Sequence, residues 1–406
     1  MERPNLADCY VSEEYGFILQ DPLDKLPDYY KPWMDIAENL PDLVESKKLR
    51  DEVKQLPELD TQHLKGHRQQ RLARTVLSHI VMAYVWQNGE SGAVKVLPRV
   101  LAVPYHQLSR TLGLPLIIVH TDFVLANWKK KDPEGPLTIH NLSTIVSLPG
   151  GDSLQGFVLV TLLVELAAIP GVKAIIQAVR GMECDDKQAL FTALQDIERS
   201  IVKMKEALRL MYDYVDSDVF YNTIRAFLSG WKDNPNMPEG LTYEGVSEEP
   251  HYYSGGTAAQ STIYHAFDEL LGIRHKGDSA DFLLKMRHYM LPSHMSFIRW
   301  VQEAPKLPEY VLKSQDSALL SMFNQCIATL TELRSFHIQV VSKYVTSAGI
   351  RARMKKNKEK THEQELQEKG TGGSNAILFL KSVRDTCKEG ALRSGKPGIT
   401  DIPNDL

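Results

Sequence analysis

The sequence predicts a mainly α-helical protein, and three observations support that fold class. Hydrophobic residues recur at steps of three and four over several long stretches, which is the spacing that lines one face of a helix. Few stretches alternate apolar and polar residues as a half-buried strand does. The 406 residues, 43% hydrophobic and 24% charged, are enough for two or three globular domains with a sizeable core.

Three long stretches carry the helical pattern. Residues 68–86 and 186–215 each place apolar side chains on one continuous stripe. Residues 317–346 do the same, but their stripe includes Arg334 and His337. The run LPLIIVH at 114–120 is the best candidate for a short strand.

Two changes in composition divide the chain. The turn-rich stretch SLPGGDSLQG at 147–156 predicts a boundary between a smaller N-terminal helical domain, 1–148, and a larger helical domain, 149–406. Residues 351–374 are charged and then glycine-rich, so we expect a mobile loop followed by a helix. The most apolar run, 157–172, contains a glutamate and is too short to span a bilayer, so it predicts a buried helix.

Charge and cysteine content exclude several classes of protein. The net charge is −4 and both signs are interleaved, which argues against a nucleic-acid or membrane-surface protein. The four cysteines are far apart in sequence, so they predict no disulfide framework. The N-terminus lacks the apolar stretch of a signal peptide, and we therefore expect a cytoplasmic protein.

Arg334 and His337 lie one helical turn apart on a face that is otherwise apolar. An imidazole in that setting either ligates a metal or a haem iron, or is a core histidine that is hydrogen-bonded to a carbonyl. A buried guanidinium needs an anion, which would be a haem propionate or a carboxylate such as Asp268. HExxH and Cys/His zinc spacings are not found in the sequence.

Three further motifs each allow two interpretations. The GTGG stretch at 370–373 is either a lid over a ligand or a tight turn, and it lacks the spacing of a phosphate loop. Phe220, Tyr221 and Arg225 would suit an aromatic carboxylate ligand, or they form an ordinary core helix with an outward arginine. The small residues of YSGGTAAQS, 253–261, would admit the edge of a flat ligand or simply form a turn.

Tyr105 and Tyr243 each occupy a short aliphatic-any-Tyr-any-any-aliphatic motif, in VPYHQL and LTYEGV. Phosphorylation there would add negative charge and create docking sites for phosphotyrosine-binding signalling proteins. The other interpretation is two packed tyrosines.

Six segments together identify a family. VLANWKKKDPEGPLT, GFVLVTLLVELAA, FYNTIRAFLSGWKDNP, YSGGTAAQS, LRSFHIQVV and KGTGG resemble the indoleamine 2,3-dioxygenases, in the family's order and over nearly the whole chain. The resemblance implies an all-α fold with a larger haem-binding catalytic domain. It also implies insertion of both atoms of O2 into the indole ring of L-tryptophan, giving N-formylkynurenine, with haem b as cofactor.

The resemblance assigns a role to individual residues. His337 would be the proximal iron ligand, with Arg334 and Asp268 near the haem propionates and Thr257 at the haem edge. It implies no catalytic acid or base, since cofactor and substrate carry the reactivity. The substrate pocket and its lid would be formed by His120, Phe157, Thr161, Phe220, Tyr221, Arg225, Ala258, Gly370, Thr371, Gly372 and Gly373.

Three positions depart from the pattern of the better-known family members. His120 replaces a tyrosine, Thr161 replaces a serine, and Phe123 replaces a smaller residue. An added methyl in a tight pocket costs about 1–3 kcal/mol, so we expect low tryptophan turnover. The partners would be L-tryptophan, O2 and an electron donor that keeps the iron ferrous, and we expect a monomer. The alternative is a haem-binding signalling protein that docks phosphotyrosine readers through Tyr105 and Tyr243.

Overall fold

The computed structural model describes residues 10–359 and 376–393. Helices dominate these residues, which confirms the predicted fold class. The α-helices are α1 Lys31–Glu38, α2 Leu40–Glu45, α3 Leu49–Lys54, α4 Gly66–Trp86, α5 Arg99–Leu112, α6 Gly151–Ala167, α7 Ile169–Glu183, α8 Lys187–Arg209, α9 Met211–Tyr214, α10 Ser217–Val219, α11 Arg225–Leu228, α12 Thr262–Leu270, α13 Gly277–Arg287, α14 Pro292–Glu303, α15 Leu307–Ser314, α16 Ser317–Val341, α17 Ala348–Glu359 and α18 Ala376–Glu389.

Short elements connect the helices. The 3-10 turns are Asp28–Tyr30, Glu90–Gly92 and Ala258–Gln260, and the π-helical segments are Thr121–Leu125, Phe220–Ile224 and Ser342–Ser347. The strands are β1 Val96–Leu97, β2 Lys129–Lys130, β3 Leu142–Ser143 and β4 Thr242–Tyr243. β1 pairs with β4 in parallel and β2 pairs with β3 antiparallel. The π-helical segment Phe220–Ile224 carries the predicted site residues Phe220 and Tyr221, and such segments are a common location for functional side chains.

The three predicted long helices are confirmed as α4, α8 and α16. Capping aspartates fix where two of them begin. The Asp186 carboxylate accepts a hydrogen bond from the Ala189 amide at 2.9 Å, and the Asp316 carboxylate accepts one from the Ala318 amide at 2.9 Å. The apolar stripe of α8 packs against α6, α7 and α16, and α18 packs on α16, so these helices form the core around the cavity described below.

The most apolar stretch is buried, as predicted, but it forms two helices. α6 ends at Ala167 and α7 begins at Ile169, with Pro170 in the first turn of α7, where its missing N–H costs nothing. By length and composition Gly151–Glu183 could cross a membrane, with a mean hydropathy of 2.0. Its most apolar window is 61% buried inside the fold, as in the core helices of globular proteins.

The predicted strand at 114–120 is wrong. This segment is an irregular connection between α5 and the π-helical segment Thr121–Leu125. Its carbonyl groups bind side chains instead of a neighbouring strand: Arg74 Nη2 donates to Pro115 O at 2.8 Å and to Ile117 O at 3.1 Å, and the Tyr243 hydroxyl donates to Leu116 O. The apolar run therefore reflects burial, which strands and connections share.

The predicted loop at 351–374 is wrong in its first part, because residues up to Glu359 continue α17. The remainder of that loop lies outside the described residues, and the predicted helix after it is confirmed as α18. One hydrophobic core contains residues from both sides of position 148, and the Trp86 indole N–H donates to Ser229 O at 3.1 Å. The domain boundary at 148/149 stays a prediction.

Candidate functional site

A largely apolar cavity lies between α6, α12, α16 and α18, and all three π-helical segments contribute to its wall. It offers about 280 Å³ of space to the centre of a water-sized sphere. A single water needs only about 10–15 Å³ by that measure, so the cavity holds an organic group rather than a few waters. A concave apolar site with few polar groups is the usual form of a ligand or cofactor pocket.

Three histidines line this cavity, and two of them are hydrogen-bonded to the protein. His120 Nε2 lies 2.8 Å from Glu165 Oε1, and His265 Nε2 lies 2.8 Å from Ala259 O. Within residues 10–359 and 376–393, no hydrogen bond joins the imidazole of His337 to another group. Both ring nitrogens of His337 therefore lack a partner among these residues, which leaves a lone pair available to a ligand.

The surroundings of His337 keep its imidazole neutral. It is half-buried on α16, one turn after Arg334, among the apolar side chains of that helix. Burial lowers the pKa of His337 to about 4, and the nearby Arg334 charge acts in the same direction. A neutral imidazole is the form that binds a metal ion.

Asp268 is the anion that pairs with Arg334. Arg334 Nη2 lies 2.6 Å and 2.8 Å from the two carboxylate oxygens of Asp268, and His275 Nε2 lies 2.9 Å from Oδ2 of the same carboxylate. Burial alone would raise the pKa of Asp268, but Arg334 and His275 outweigh it and hold the pKa below its ordinary value. Of the two anions expected for Arg334, the structure provides the carboxylate.

An aromatic cluster forms another part of the cavity wall. The Phe157 ring centroid lies 5.1 Å from that of Phe220 and 6.0 Å from that of Phe123, and Phe220 lies 5.8 Å from Tyr344. These separations are typical of favourable aromatic pairs. Next to Phe157, Gly156 lets α6 approach α9 closely, since a Cβ there would collide with the backbone carbonyl of Tyr214.

Most predicted pocket residues reach the cavity. Thr161, Arg225, Thr257 and Ala258 line it. The Thr161 hydroxyl donates to Phe157 O at 2.7 Å, so its added methyl is the part free to shape the pocket. Tyr221 does not line the cavity.

Tyr221 lies beside the cavity instead, under the guanidinium of Arg225. The Arg225 Cζ atom is 5.0 Å from the centroid of the Tyr221 ring. This cation–π contact fixes the direction of the Arg225 side chain, which directly follows the π-helical segment Phe220–Ile224. The contact of Tyr221 with an indole ring stays a prediction.

The sequence reasoning missed a polar cluster on the same wall as His120. Glu165 Oε1 accepts a hydrogen bond from the Ser261 hydroxyl at 2.6 Å as well as meeting His120. The His120 amide donates to Gln260 Oε1 at 3.0 Å. The one carboxylate inside the apolar run 157–172 was the available signal, because Phe157, Thr161 and Glu165 share one helix face at steps of four.

Other predicted residues lie elsewhere. Gly370, Thr371, Gly372 and Gly373 lie outside the described residues. Tyr105 and Tyr243 are both 0% exposed and lie near the Arg74 guanidinium network that holds segment 114–120. Burial raises the pKa of both hydroxyls far above the ordinary range. In this fold neither hydroxyl is accessible for modification.

The residues present fit a haem with a single protein ligand. The cavity supplies one unpartnered neutral imidazole within apolar walls, and a porphyrin brings the other four in-plane ligands itself. Among the described residues no group of three or more His, Cys, Asp and Glu side chains is arranged to hold a metal ion without such a macrocycle. The fold and the cavity thus define a helical protein with a pocket suited to haem.

Comparison with known proteins gives the family. An indoleamine 2,3-dioxygenase family profile matches residues 5–390, and the chain belongs to this family. It is therefore an oxidoreductase of the dioxygenase class, in a family whose enzymes depend on haem.

Three relatives show the range of that likeness. Indoleamine 2,3-dioxygenase 2 of Homo sapiens is 54% identical over 96% of both chains. Indoleamine 2,3-dioxygenase 1 of Rattus norvegicus is 46% identical over 95% of this chain and 96% of its own. A protein named myoglobin from Haliotis diversicolor is 38% identical over 94% of this chain and 97% of its own.

Proposed function

We propose that this chain binds one haem b through His337 and inserts both atoms of O2 into the indole ring of L-tryptophan to give N-formylkynurenine. The observation that carries the proposal is the state of the three cavity histidines. His120 and His265 are engaged with protein groups, whereas the His337 imidazole is neutral and without a described partner. The half-buried His337 imidazole lines a cavity of a size that holds an organic group, so a ligand there can occupy its free nitrogen.

The substrate half of the proposal rests on the aromatic cluster and Arg225. Phe157, Phe220 and Phe123 offer ring faces and edges to an indole, and Arg225 lines the same cavity. A guanidinium recognises a carboxylate through two parallel hydrogen bonds. Tyr221 supports this arrangement by holding Arg225 from below.

The protein's part in the reaction is binding, orientation and exclusion of water. Bound ferrous haem supplies the oxygen chemistry when an electron donor keeps it reduced. His337 holds the cofactor, the Phe157–Phe220 pair keeps the indole in a dry site, and Arg225 fixes its orientation by the carboxylate. The cavity therefore requires no side chain that acts as a general acid, general base or nucleophile.

Low turnover remains part of the proposal. His120 is tied to Glu165 on the cavity wall, and Thr161 brings a methyl group to the same face of α6. The better-known family members carry a tyrosine and a serine at these positions, so both changes alter the shape of the pocket. We expect them to weaken transition-state binding by about 1–3 kcal/mol. We further propose a monomer that works in the cytoplasm.

The alternative function, docking of phosphotyrosine readers, requires accessible tyrosines. Tyr105 and Tyr243 have no exposed surface, and each is packed into the network around Arg74. Docking through them would require local unfolding of that network. The cavity residues favour the dioxygenase.

One experiment tests the central claim. The full chain is purified, loaded with haem, reduced, and treated with carbon monoxide while its absorption spectrum is recorded. We expect a Soret band that shifts on reduction and on carbon monoxide binding, and formation of N-formylkynurenine from L-tryptophan with O2 consumed in equal amount. A normal haem spectrum with no product would reduce the chain to an oxygen-binding protein, and failure to bind haem would refute the proposal.

The role of Arg225 is tested by Arg225→Lys, which keeps the charge but removes the two-pronged geometry. Loss of this contact costs about 1.5–3 kcal/mol, or roughly 10–150-fold in kcat/KM for L-tryptophan. Tryptamine, which lacks the carboxylate, is the matched control and should be affected far less. An equal loss for both substrates would show that Arg225 acts on the fold and not on the carboxylate.

A further inference from the structure

Segment 253–257 has two sides. Its inner side contributes Gly256 and Thr257 to the cavity wall. On its other side the Ser254 side chain meets Lys285 of α13, whose Nζ donates to the Ser254 hydroxyl at 3.0 Å. Ser254 is only 1% exposed and Lys285 is half-buried, so this contact lies below the protein surface.

A second ammonium group lies beside the first. Lys232 is held next to Ser254, since its amide donates to Tyr253 O at 2.9 Å, and its charge acts on the Lys285 ammonium. Within the described parts of the chain, neither lysine forms an ion pair with a carboxylate. Asp233 is near enough to act on Lys285, but its influence is smaller than that of Lys232. Two like charges held side by side repel each other by an amount that burial increases.

Two hydroxyl groups complete the cluster. The Tyr289 hydroxyl, 5% exposed, accepts a hydrogen bond from the Ser254 amide at 2.9 Å, and it also lies next to the Ser254 hydroxyl. A hydroxyl that accepts a hydrogen bond keeps its own hydrogen for a further acceptor. Two ammonium groups and two hydroxyls thus lie together, and neither ammonium group is ion-paired with a carboxylate of the described residues.

We propose that Lys232, Ser254, Lys285 and Tyr289 form a binding site for a small oxyanion, a phosphate or carboxylate group. An oxyanion between the two lysines accepts hydrogen bonds from both ammonium groups and from the one hydroxyl hydrogen that the Ser254–Tyr289 contact leaves free, and its negative charge offsets the repulsion between the lysines. The site is separate from the haem-type cavity and does not depend on the proposed function. Because segment 253–257 lies between the two, the bound anion also braces the cavity wall at Gly256 and Thr257.

The protonation of Lys285 agrees with this site. Burial, followed by the neighbouring Lys232, lowers the pKa of Lys285 to about 8, so a fraction of its amine is neutral near physiological pH. A bound anion favours the charged ammonium and raises that pKa again. Occupancy therefore changes the reactivity of the Lys285 amine as well as the stability of the fold.

The first test is thermal unfolding of the full chain with sodium phosphate or sodium acetate, against sodium chloride at the same ionic strength. We expect a saturable rise in Tm of about 1–3 °C beyond the chloride effect with at least one of the two oxyanions. The anion with the larger rise identifies the ligand class. The rise should disappear in Lys285→Gln and in Lys232→Gln, and remain in Lys313→Gln, an exposed lysine of α15.

The second test reads Lys285 directly. Its acylation rate by an amine-reactive acetyl ester is followed by peptide mass spectrometry at pH 7.5, and the preferred anion should slow it several-fold while leaving Lys313 unchanged. Without anion, Lys285→Gln should be at least as stable as the parent, since it removes the repulsion. An oxyanion effect no larger than that of chloride, or one retained in both glutamine variants, would overturn the proposal.

Discussion

His120 and His337 line the same cavity, but the protein treats them in opposite ways. His120 is fixed by Glu165 through its ring and by Gln260 through its amide, and Ser261 adds a further hydrogen bond to Glu165. His337 has only apolar neighbours on its own helix and the Arg334 charge one turn away. Arg334 is ion-paired with Asp268, so this carboxylate is not available to the His337 imidazole.

A histidine that lines a pocket is therefore not necessarily a ligand. What distinguishes the two residues is whether the protein already engages a ring nitrogen, as Glu165 engages Nε2 of His120. His120 belongs to a wall that shapes the pocket, and His337 belongs to a wall that leaves one group open. Four measurements test whether the two walls of the cavity differ in this way.

The largest effect is expected from exchanging the two histidines for residues that cannot bind iron. His337→Ala should abolish the Soret band and lower N-formylkynurenine formation by at least about 100-fold, since the proposed haem ligand is lost. His120→Asn should keep the band, because Asn retains a donor for Glu165. If both variants bound haem equally well, the comparison would fail.

The ion pair behind His337 should be the next most sensitive feature. Arg334→Met leaves the Asp268 charge buried and should lower the free energy of unfolding by about 3–5 kcal/mol, measured by urea denaturation without haem. Adding Asp268→Asn should recover much of that loss. At the His120 wall, Glu165→Gln keeps a hydrogen-bonding oxygen and should cost only about 1–3 kcal/mol. Equal losses would mean that both walls depend on charge alike.

The His120 wall should instead control turnover. Replacing His120→Tyr together with Thr161→Ser should raise kcat/KM for L-tryptophan by roughly 5–150-fold, the equivalent of about 1–3 kcal/mol. The haem spectrum should stay the same, since His337 is unchanged. No change in kcat/KM would refute the explanation of low turnover by these two positions.

The smallest effect, counted per histidine and per pH unit, is the pH dependence of stability caused by buried neutral imidazoles. Burial lowers the pKa of His79 and of His265 to about 4, below the ordinary value of 6.5. The unfolded chain then binds more protons below pH 6.5, so stability is complete above that pH and falls as the pH drops toward 4. Each such histidine should contribute a slope of about 1.4 kcal/mol per pH unit to the free energy of unfolding.

This slope is measured by denaturation at pH 7, 6 and 5. His79→Gln should reduce this slope by the contribution of one histidine, even though the variant is less stable at pH 7. A parent protein with the same stability at pH 7 and pH 5 would show that these imidazoles are not held neutral.

Local spacing predicted much of the fold. α4, α8 and α16 appear where apolar residues repeat at steps of three and four, because that period depends only on neighbours along the chain. The same rule failed at 114–120, where the apolar run is a buried connection whose carbonyls bind Arg74. Arg74 lies about 40 residues away in sequence, beyond the reach of any local pattern.

The sequence by itself determined that Arg334 and His337 share one face of a helix and that Phe157, Thr161 and Glu165 share another, since helical geometry fixes those relations. Only the tertiary structure decided their partners: Asp268 for Arg334, 66 positions away, and Glu165 for His120, 45 positions away. It also buried Tyr105 and Tyr243. Such pairings depend on how distant helices pack, and a short motif carries no information about that packing.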